Sequence, residues 1–290
     1  MTDWMAITER NARSVQTLIG WIFWDPGVDE RMERLGLPKG VGYVGGRAAP
    51  LMPAGNDAVI AAFYSISPKV LSVVLDLVRE KASADEVWEA RNQAVVEGLR
   101  RYVPELCEPL GAMAGWLWEA AGACPLEGRV FYGAHLRMPR PDDPVLSAWH
   151  AVNCIREWRG DTHWALLVAN EVGPAEAGIL HNAWVGYEKD WVPASRFNTA
   201  DEIAQAWASL EARGLASGRE VSGDGLEFRQ HLEDETNRLT TIPWESAGEE
   251  SAVEFARVLE PPCEVLLGRV DETAGPNYMP ASRIHHRRRG

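Results

Sequence analysis

The order of helix and turn signals between residues 161 and 240 constrains the fold of this 290-residue chain more than any other feature. Residues 161–172 and 175–184 have the composition of two helices, and Gly173 with the proline after it separates them. The stretch therefore predicts two helices joined by a tight turn.

A third helix and a small hairpin follow this pair. Thr199 and Glu202 have the spacing of a capping box, which predicts a helix that runs to Arg213 and is closed by Gly214. A long helix is predicted from about residue 227 to residue 239. Between the two helices lie three glycines that suit the turns of a small hairpin (Gly218, Gly223 and Gly225). The chain is therefore predicted to be mainly α-helical.

This order of helices, hairpin and long helix resembles the MarR-type winged helix. Residues 210–215 resemble the exit of its recognition helix, and the stretch from Gly225 to Arg229 resembles its wing and the following helix. The resemblance implies a winged-helix unit in the C-terminal half. Residues 32–37, which precede a glycine-rich stretch, echo residues 210–215, so two winged helices in tandem are the alternative.

The charge of this unit argues against DNA as a partner. Residues 200–240 contain nine acidic and four basic side chains, and the whole chain carries a net charge of −13. Carboxylates repel phosphate, and electrostatic attraction supplies most non-specific affinity for DNA. The sequence therefore predicts a winged-helix unit that has lost DNA binding.

The chain is predicted to divide into three regions. Three prolines in residues 139–144 mark a boundary between a helical region, residues 1–140, and a winged-helix region, residues 141–270. The glycine-rich stretch from Gly40 to Leu51 is predicted as a tight turn or hairpin, the possible core of a degenerate first winged helix. Residues 271–290 are predicted as a flexible tail that ends in a basic run.

Composition predicts a cytoplasmic protein without a membrane partner. The first residues lack a signal-peptide pattern, and no apolar run is long enough to span a bilayer. The four cysteines form no Cys-x-x-Cys pair and are interpreted as buried thiols (Cys107, Cys124, Cys154 and Cys263). The oligomeric state is left open between monomer and homodimer.

Thirteen tryptophans are many for a chain of this length. Tryptophan offers a large apolar face and one N–H donor, so it suits both cores and ligand pockets. The excess predicts a cavity for a flat, apolar or aromatic ligand.

Polar residues concentrate between an apolar helix predicted to end at Trp158 and a second one predicted to begin at Thr162. His163 is the predicted acid/base, oriented by Asp161 or Glu157, because a carboxylate partner raises the basicity of an imidazole. Arg159 is predicted to hold an anionic group. The other candidates for substrate binding are Trp149, Trp164, His150, His135, Tyr43 and Arg47.

Two alternatives compete with this acid/base site. One is a metal or haem site built from two or three of the histidines; the cofactor itself is unknown (candidates His135, His150, His163 and His181). The other is purely structural: Asp161 caps the helix at Thr162, Glu157 pairs with an arginine, and the histidines are hydrogen-bonded in the core.

Several stretches together are similar to an actinobacterial helix-turn-helix family without an established activity. The similarity runs roughly over residues 10–265, although Met52, Ser65 and Ile66 depart from the family pattern. It implies a fold and no particular reaction. The matching stretches are Gly42-Tyr43, residues 46–51, Phe63-Tyr64, Ser67-Pro68, Ala134-His135, residues 139–143, Trp149-His150 and residues 156–163.

The sequence thus predicts a winged-helix protein that binds a small aromatic or apolar anionic compound of specialised metabolism, as an enzyme or as a binding protein. A MarR-like, ligand-responsive transcriptional regulator and a metal- or haem-binding protein are the alternatives.

Overall fold

A computed structural model describes residues 1–188 and 190–274. The chain folds into sixteen α-helices, two 3₁₀ helices and one two-stranded hairpin within those residues. In chain order the elements are α1 (Trp4–Gly20), a 3₁₀ helix (Trp21–Trp24), α2 (Pro26–Arg34), α3 (Gly42–Ala48), a second 3₁₀ helix (Ala49–Ala54), α4 (Asn56–Phe63), α5 (Pro68–Lys81), α6 (Ala84–Tyr102), α7 (Pro104–Ala112), α8 (Ala114–Gly122), α9 (Val130–Leu136), α10 (Pro144–Ala169), α11 (Pro174–Val185), α12 (Trp191–Ser195), α13 (Ala200–Ala212), β1 (Ala216–Ser217), β2 (Glu220–Val221), α14 (Gly223–Leu239), α15 (Ile242–Ala247) and α16 (Glu249–Ala274).

Helix α10 is the central element of the fold. It packs against α1, α6, α7, α8, α9 and α14. Most of its side chains are buried, among them Trp149 and Trp158. Because a helix buried on every side presents each of its faces to a different neighbour, polar groups on α10 are held by several elements at once.

The apolar side chains form two clusters, and α10 contributes to both. The larger cluster, here called the body, includes residues of α1 to α10 together with α15 and α16. Helix α16 packs along α1, which brings the two ends of the described chain together. Within the body, Trp21 and Trp149 are among the largest fully buried side chains.

The second cluster belongs to the winged unit, defined here as residues 167–239. Leu167 at the end of α10 joins Leu180 of α11, Trp207 of α13 and Leu232 of α14 in this smaller core. The capping box of Thr199 and Glu202 begins α13 as predicted. Strands β1 and β2 pair antiparallel and form the predicted small hairpin around Gly218. The predicted place of Gly223 and Gly225 in this hairpin is wrong, because both lie in the first turn of α14, which begins at Gly223 rather than near residue 227.

The predicted hairpin of residues 40–51 is wrong, because this segment is helix α3 followed by a 3₁₀ helix. Its glycines serve close helix packing instead. A Cβ at Gly42 would lie 3.3 Å from Val28, and one at Gly46 would lie 3.3 Å from Arg91. Residues 40–51 therefore do not supply the β wing that a first winged helix in the N-terminal region would need.

The predicted break between Trp158 and Thr162 is also wrong, because α10 runs through it without interruption. Gly160 lies inside the helix, where a glycine costs about 1 kcal/mol relative to alanine. The packing of a 26-residue helix against many neighbours outweighs that cost.

The structure also bears on two predictions, the absence of a membrane span and the C-terminal tail. Within residues 1–188 and 190–274, no helix combines the length and the apolar composition that crossing a bilayer requires. Residues 271–274 belong to α16, and the basic run of residues 285–289 lies outside the described residues.

Gly225→Ala is expected to lower the free energy of unfolding by about 1 to 3 kcal/mol through overpacking. A Cβ at Gly225 would lie 2.2 Å from the carbonyl oxygen of Leu215 and 2.7 Å from Val221, and the backbone oxygen cannot turn away. Gly223→Ala is the matched control, because nothing lies within 4 Å of its added Cβ. Urea unfolding of both variants measures the difference, and equal stabilities would contradict the close approach of hairpin and α14.

Candidate functional site

The polar residues of α10 divide between two opposite faces of the helix. Glu157 and Asp161 are four residues apart and face α3 and α9. Arg159 and His163, also four residues apart, face α14. The residues that are contiguous in sequence therefore belong to two separate sites.

Glu157 forms a buried ion pair with Arg47 of α3. The guanidinium donates from Nε and Nη2 to the carboxylate at 2.7 to 3.1 Å, and both side chains are almost fully buried. Arg156 donates a further hydrogen bond to Glu157 Oε1 at 2.6 Å. Two guanidinium groups therefore share one carboxylate, which neutralises only one of the two positive charges.

Tyr43 lies one turn before Arg47 on α3, and its hydroxyl accepts a hydrogen bond from Arg47 Nη1 at 3.2 Å. Burial raises the pKa of this hydroxyl, but the positive charges of Arg47, Arg196 and Arg156 together outweigh burial and lower the pKa to about 7. The half-buried phenol can therefore exchange a proton near neutral pH.

Asp161 does not cap a helix that begins at Thr162, because α10 is continuous there. Its Oδ2 instead accepts a hydrogen bond from the backbone N–H of Tyr132, in the first turn of α9, at 3.0 Å. Burial and the negative charge of Glu157 raise the pKa of Asp161 to about 7, although the Tyr132 hydrogen bond and Arg47 oppose the rise. Asp161 is thus a second group that titrates near neutral pH.

We expect Tyr43 to ionise near pH 7, roughly three pH units below an ordinary tyrosine. Tyrosinate absorbance should show one early titration in the folded protein, and this step should disappear in Tyr43→Phe. Tyr187→Phe is the control, since it removes a tyrosine outside this site. A titration with no step below about pH 9 would contradict the expectation.

The opposite face of α10 forms a polar network with α14. Arg159 donates to Thr240 Oγ1 at 2.9 Å and to Glu233 Oε1 at 2.5 Å, and Arg229 also donates to Glu233. Arg229 further donates to His181 Nδ1 at 3.2 Å. Arg159 is therefore committed to a protein carboxylate rather than directed at an external anion.

His163 is bonded to α14 and to neither predicted carboxylate partner. Its Nδ1 lies 2.9 Å from Thr236 Oγ1, whose hydroxyl already donates to the carbonyl of Leu232, so the imidazole must donate. Burial and the nearby Arg229 lower the pKa of His163 to about 3. The structure thus places Glu157 and Asp161 near Tyr43 and Arg47, while His163 and Arg159 lie in a different network.

His135 and His150 meet in the interior of the body, beside Trp88. His135 Nδ1 lies 2.9 Å from the carbonyl oxygen of Phe131, and His150 Nε2 lies 3.0 Å from that of His135. The two imidazoles contact the Trp88 ring at centroid distances of 5.8 and 5.0 Å. Trp149 lies nearby, fully buried, and its Nε1 donates to the carbonyl of Leu18 at 2.8 Å.

The four candidate metal ligands are distributed over three places. His135 and His150 lie together in the body, His163 lies at α14, and His181 lies beside Arg229. In the part of the chain that the structure describes, no three His, Cys, Asp or Glu side chains are grouped as a metal site would require. A metal or haem role stays a prediction.

Trp164 lies at the contact between the body and the winged unit. Its ring stacks on Tyr64 at a centroid distance of 5.1 Å, and its buried Nε1 has no hydrogen-bond partner among residues 1–188 and 190–274. Tyr64 has a φ of 57°, and the N–H of Ser65 bonds to the carbonyl of Phe63, which makes a strained three-residue turn. This turn directs Phe63 to Arg47 and Tyr64 to Trp164.

Many of the tryptophans are core residues. A cavity of about 10 Å³ touches Trp158 and Trp244, which is room for about one water molecule. A shallow apolar groove of about 210 Å³ lies between α1 and α16 and is lined by Ile7, Asn11 and Ala256. A tryptophan-lined ligand cavity stays a prediction. The buried tryptophans are Trp21, Trp88, Trp118, Trp149, Trp158, Trp207 and Trp244.

The surface of α13, the helix before the hairpin, carries exposed acidic groups. Asp201 and Glu211 of α13 are exposed. Arg213, the cation at the end of α13, donates to the carbonyl oxygens of Glu171 and Asn170. Arg219 in the hairpin pairs with Asp190 at 3.0 Å.

The profile of a helix-turn-helix family matches residues 8–271. The chain belongs to this helix-turn-helix family. No curated protein and no solved structure matches the chain significantly. The helix-turn-helix part of the predicted resemblance is confirmed, and its MarR-like and actinobacterial parts stay predictions.

Sequence reasoning missed one charged residue in the interior of this helix-turn-helix protein. Arg91 of α6 is fully buried, and its guanidinium lies 3.7 Å from the Trp88 ring centroid and 4.9 Å from that of Trp149. The signal was present, because Arg91 falls on the same helical stripe as Val87 and Val95. A cation on an apolar stripe of a buried helix indicates a special environment.

Proposed function

We propose that this helix-turn-helix protein no longer reads DNA through its winged unit and instead binds a small anionic molecule beside Tyr43 and Arg47. The observation that carries the proposal is the charge balance of the buried cluster. Glu157 is shared by Arg47 and Arg156, and Arg196 is near enough to lower the pKa of Tyr43. Arg156 and Arg196 are only half-buried, but this surplus of positive charge around one buried carboxylate favours an anion as a further partner.

Aromatic rings beside these cations support an aromatic or apolar body for the ligand. The Arg47 guanidinium lies 4.4 Å from the ring centroid of Phe131 and 4.9 Å from that of Phe63. The adjacent stack of Tyr64 and Trp164 adds a buried indole N–H that bonds to none of the described residues. Flat rings beside a guanidinium suit an aryl carboxylate or a comparable acidic aromatic compound.

Loss of DNA binding is supported by the surface of α13. The helix offers carboxylates, and the guanidinium groups of Arg213 and Arg219 are held by protein carbonyls and by Asp190. Recruiting either arginine to phosphate would break these bonds, and the carboxylates would still repel the backbone of DNA.

The same site supports catalysis in one specific way. The Tyr43 hydroxyl and the Asp161 carboxyl both titrate near pH 7, and both are electrostatic neighbours of Arg47. A group whose pKa matches the working pH is the most effective proton donor or acceptor. An enzyme would therefore use Tyr43 for proton transfer to a substrate whose anionic group Arg47 holds.

Tryptophan fluorescence against benzoate, naphthoate and indole carboxylates tests ligand binding, and mass spectrometry of the same mixtures distinguishes turnover from binding. We expect quenching that weakens in Tyr43→Phe and is unchanged in Tyr187→Phe. No response to any aryl carboxylate would contradict the proposed ligand class.

Fluorescence anisotropy with mixed-sequence duplex DNA at low salt tests the other half of the proposal. We expect no binding by the full chain. Binding in the micromolar range that weakens steeply with salt would instead favour a ligand-responsive regulator. Glu211→Lys gives a useful comparison, since it should raise any residual affinity if the acidic surface of α13 is what prevents binding.

A further inference from the structure

We propose that residues 63–67, here called the strap, couple the winged unit to the Tyr43–Arg47 site, so that a shift of the winged unit on the body changes the affinity of that site for its ligand. The inference rests on the function proposed above and adds a means of regulating it. The strap runs from the last residue of α4 to the residue before α5. Its first residue contacts the ligand site, and the later ones bind the winged unit.

Two hydrogen bonds fasten the strap to two separate loops of the winged unit. The Tyr64 hydroxyl donates to the carbonyl oxygen of Val172, in the connection between α10 and α11. The N–H of Ser67 donates to the carbonyl oxygen of Arg196, just after α12, at 2.9 Å. Because one short segment holds both loops, a movement of the winged unit must displace the strap or break these bonds.

The backbone is strained at the strap and beside both of its acceptors. Tyr64 has a φ of 57° and a ψ of −66°, and the N–H of Ser65 closes the tight turn onto the carbonyl of Phe63 at 2.6 Å. Next to the two acceptor residues, Glu171 and Phe197 have φ values of 54° and 61°. Residues other than glycine seldom adopt a positive φ, and surrounding contacts must hold them there. Release at one of these points therefore favours relaxation at the others.

The first residue of the strap forms one wall of the ligand site. The Phe63 ring centroid lies 4.9 Å from the guanidinium carbon of Arg47 and 6.0 Å from the ring centroid of Tyr43. It also lies 5.1 Å from the ring of Phe131, on the far side of the same guanidinium. Relaxation of the turn at Tyr64 rotates the backbone directly after Phe63, so this wall moves with the strap.

Arg196 provides a second connection from the winged unit to the same site. The strap holds its carbonyl oxygen, and its positive charge acts on the Tyr43 hydroxyl. The other charges that face this hydroxyl are Arg47 on α3 and Arg156 and Glu157 on α10. Of these four charges only that of Arg196 moves with the winged unit. Withdrawal of the winged unit therefore removes a cation from the site and raises the pKa of Tyr43.

Ser67→Pro breaks one of the two bonds with little other change to the backbone. Ser67 has a φ of −48° and a ψ of 122°, close to what a proline before Pro68 adopts, and the substitution removes the N–H that bonds to Arg196. Ser67→Ala is the matched control, because it keeps this N–H. Tyr64→Phe breaks the other bond independently, since it removes the hydroxyl and keeps a ring to stack on Trp164.

The readouts are fluorescence titration with 1-naphthoate, hydrogen exchange of the full chain and tyrosinate absorbance. In the wild-type protein, naphthoate should slow amide exchange around Val172 about fivefold, because coupling between a ligand and a docked unit is reciprocal. Ser67→Pro and Tyr64→Phe should each weaken naphthoate binding about fivefold. Both should also move the ionisation of Tyr43 from about pH 7 towards that of an ordinary tyrosine, near about pH 10, whereas Ser67→Ala should change neither quantity.

The outcomes separate this inference from the proposed ligand. A protein that does not respond to naphthoate contradicts the ligand class, and the ionisation of Tyr43 then tests the strap without any ligand. An ionisation that Ser67→Pro and Tyr64→Phe both leave unchanged would overturn the coupling, and Tyr64→Phe decides alone if Ser67→Pro does not fold. A wild-type Tyr43 that ionises like an ordinary tyrosine would also overturn it, because Arg196 would then not act on the site. Naphthoate binding without slower exchange around Val172 would have the same consequence.

Discussion

Glu157→Gln is expected to lower the free energy of unfolding by about 3 to 5 kcal/mol, because it leaves Arg47 buried without a counter-ion. The three hydrogen bonds from Arg47 and the one from Arg156 converge on this carboxylate, which is almost fully buried. The positive charges of Arg47 and Arg156 hold the pKa of Glu157 well below its usual range despite burial, so the charge is present at neutral pH.

Glu254→Gln is the matched control for this change. Glu254 pairs with Arg257 on an exposed surface of α16, and exposed pairs contribute about 0 to 1 kcal/mol. The double variant Arg47→Met with Glu157→Leu should recover much of the stability lost by Glu157→Gln, since it removes both buried charges. A loss below about 1 kcal/mol for Glu157→Gln in urea unfolding would contradict the buried pair.

The free energy of unfolding is expected to fall steeply as the pH drops from about 6.5 to about 4, by up to about 3 kcal/mol per pH unit. Burial lowers the pKa of His135 to about 4, that of His163 to about 3, and that of His150 well below its ordinary value. In the unfolded chain each histidine has a pKa near about 6.5. The unfolded state therefore binds up to three more protons in this window, and acid favours it.

Asp161 has the opposite effect on stability, because here the folded state binds one proton more than the unfolded state. Burial raises its folded-state pKa to about 7, above its unfolded value, so its contribution to stability is present at low pH and is lost as the pH rises through about 7. The three histidine protons less the one on Asp161 leave the unfolded state with about two more protons than the folded state. This difference corresponds to the slope of about 3 kcal/mol per pH unit.

Urea unfolding at a series of pH values measures this slope. His163→Gln should reduce it by about 1.4 kcal/mol per pH unit, and the exposed His231→Gln should not change it. A stability that is constant between about pH 4 and about pH 6.5 would contradict the presence of buried neutral histidines.

The local elements of the winged unit were predictable from sequence because their signals are short-range. Thr199 with Glu202 specifies the start of α13, and Gly218, with a φ of 56°, occupies the turn of the hairpin. A cap or a tight turn depends on a few neighbouring residues, so tertiary contacts seldom override it.

The glycine-rich segment was not predictable in the same way. A glycine is required both where the backbone turns and where two helices approach closely, and the sequence does not distinguish the two cases. Gly42 is close to Val28 of α2, and Gly46 is close to Arg91 of α6, so both contacts are with other helices. Only the packing of α3 against α2 and α6 decides that the segment is helical.

The candidate site was predictable in composition but not in connectivity. The sequence placed polar residues near positions 157–163, and all of them are on α10. Because α10 is a continuous helix, residues two positions apart, such as Glu157 and Arg159, point to opposite faces, and Glu157 and His163 belong to different networks. Their partners Arg47 and Thr236 lie 110 and 73 residues away in the chain.

The sequence by itself determined that this protein is mainly helical, that it carries a helix-turn-helix with a small hairpin, and that the helix before this hairpin, α13, is acidic. These are properties of periodicity, capping and charge, which act over a few residues. Only the tertiary structure decided which carboxylate pairs with which arginine, which hydrogen-bond network each histidine joins, and that Arg91 is buried beside Trp88 and Trp149 without an ion pair to any described residue. Those outcomes depend on burial and on contacts between distant helices, because burial makes each unpaired charge or hydrogen-bonding group costly.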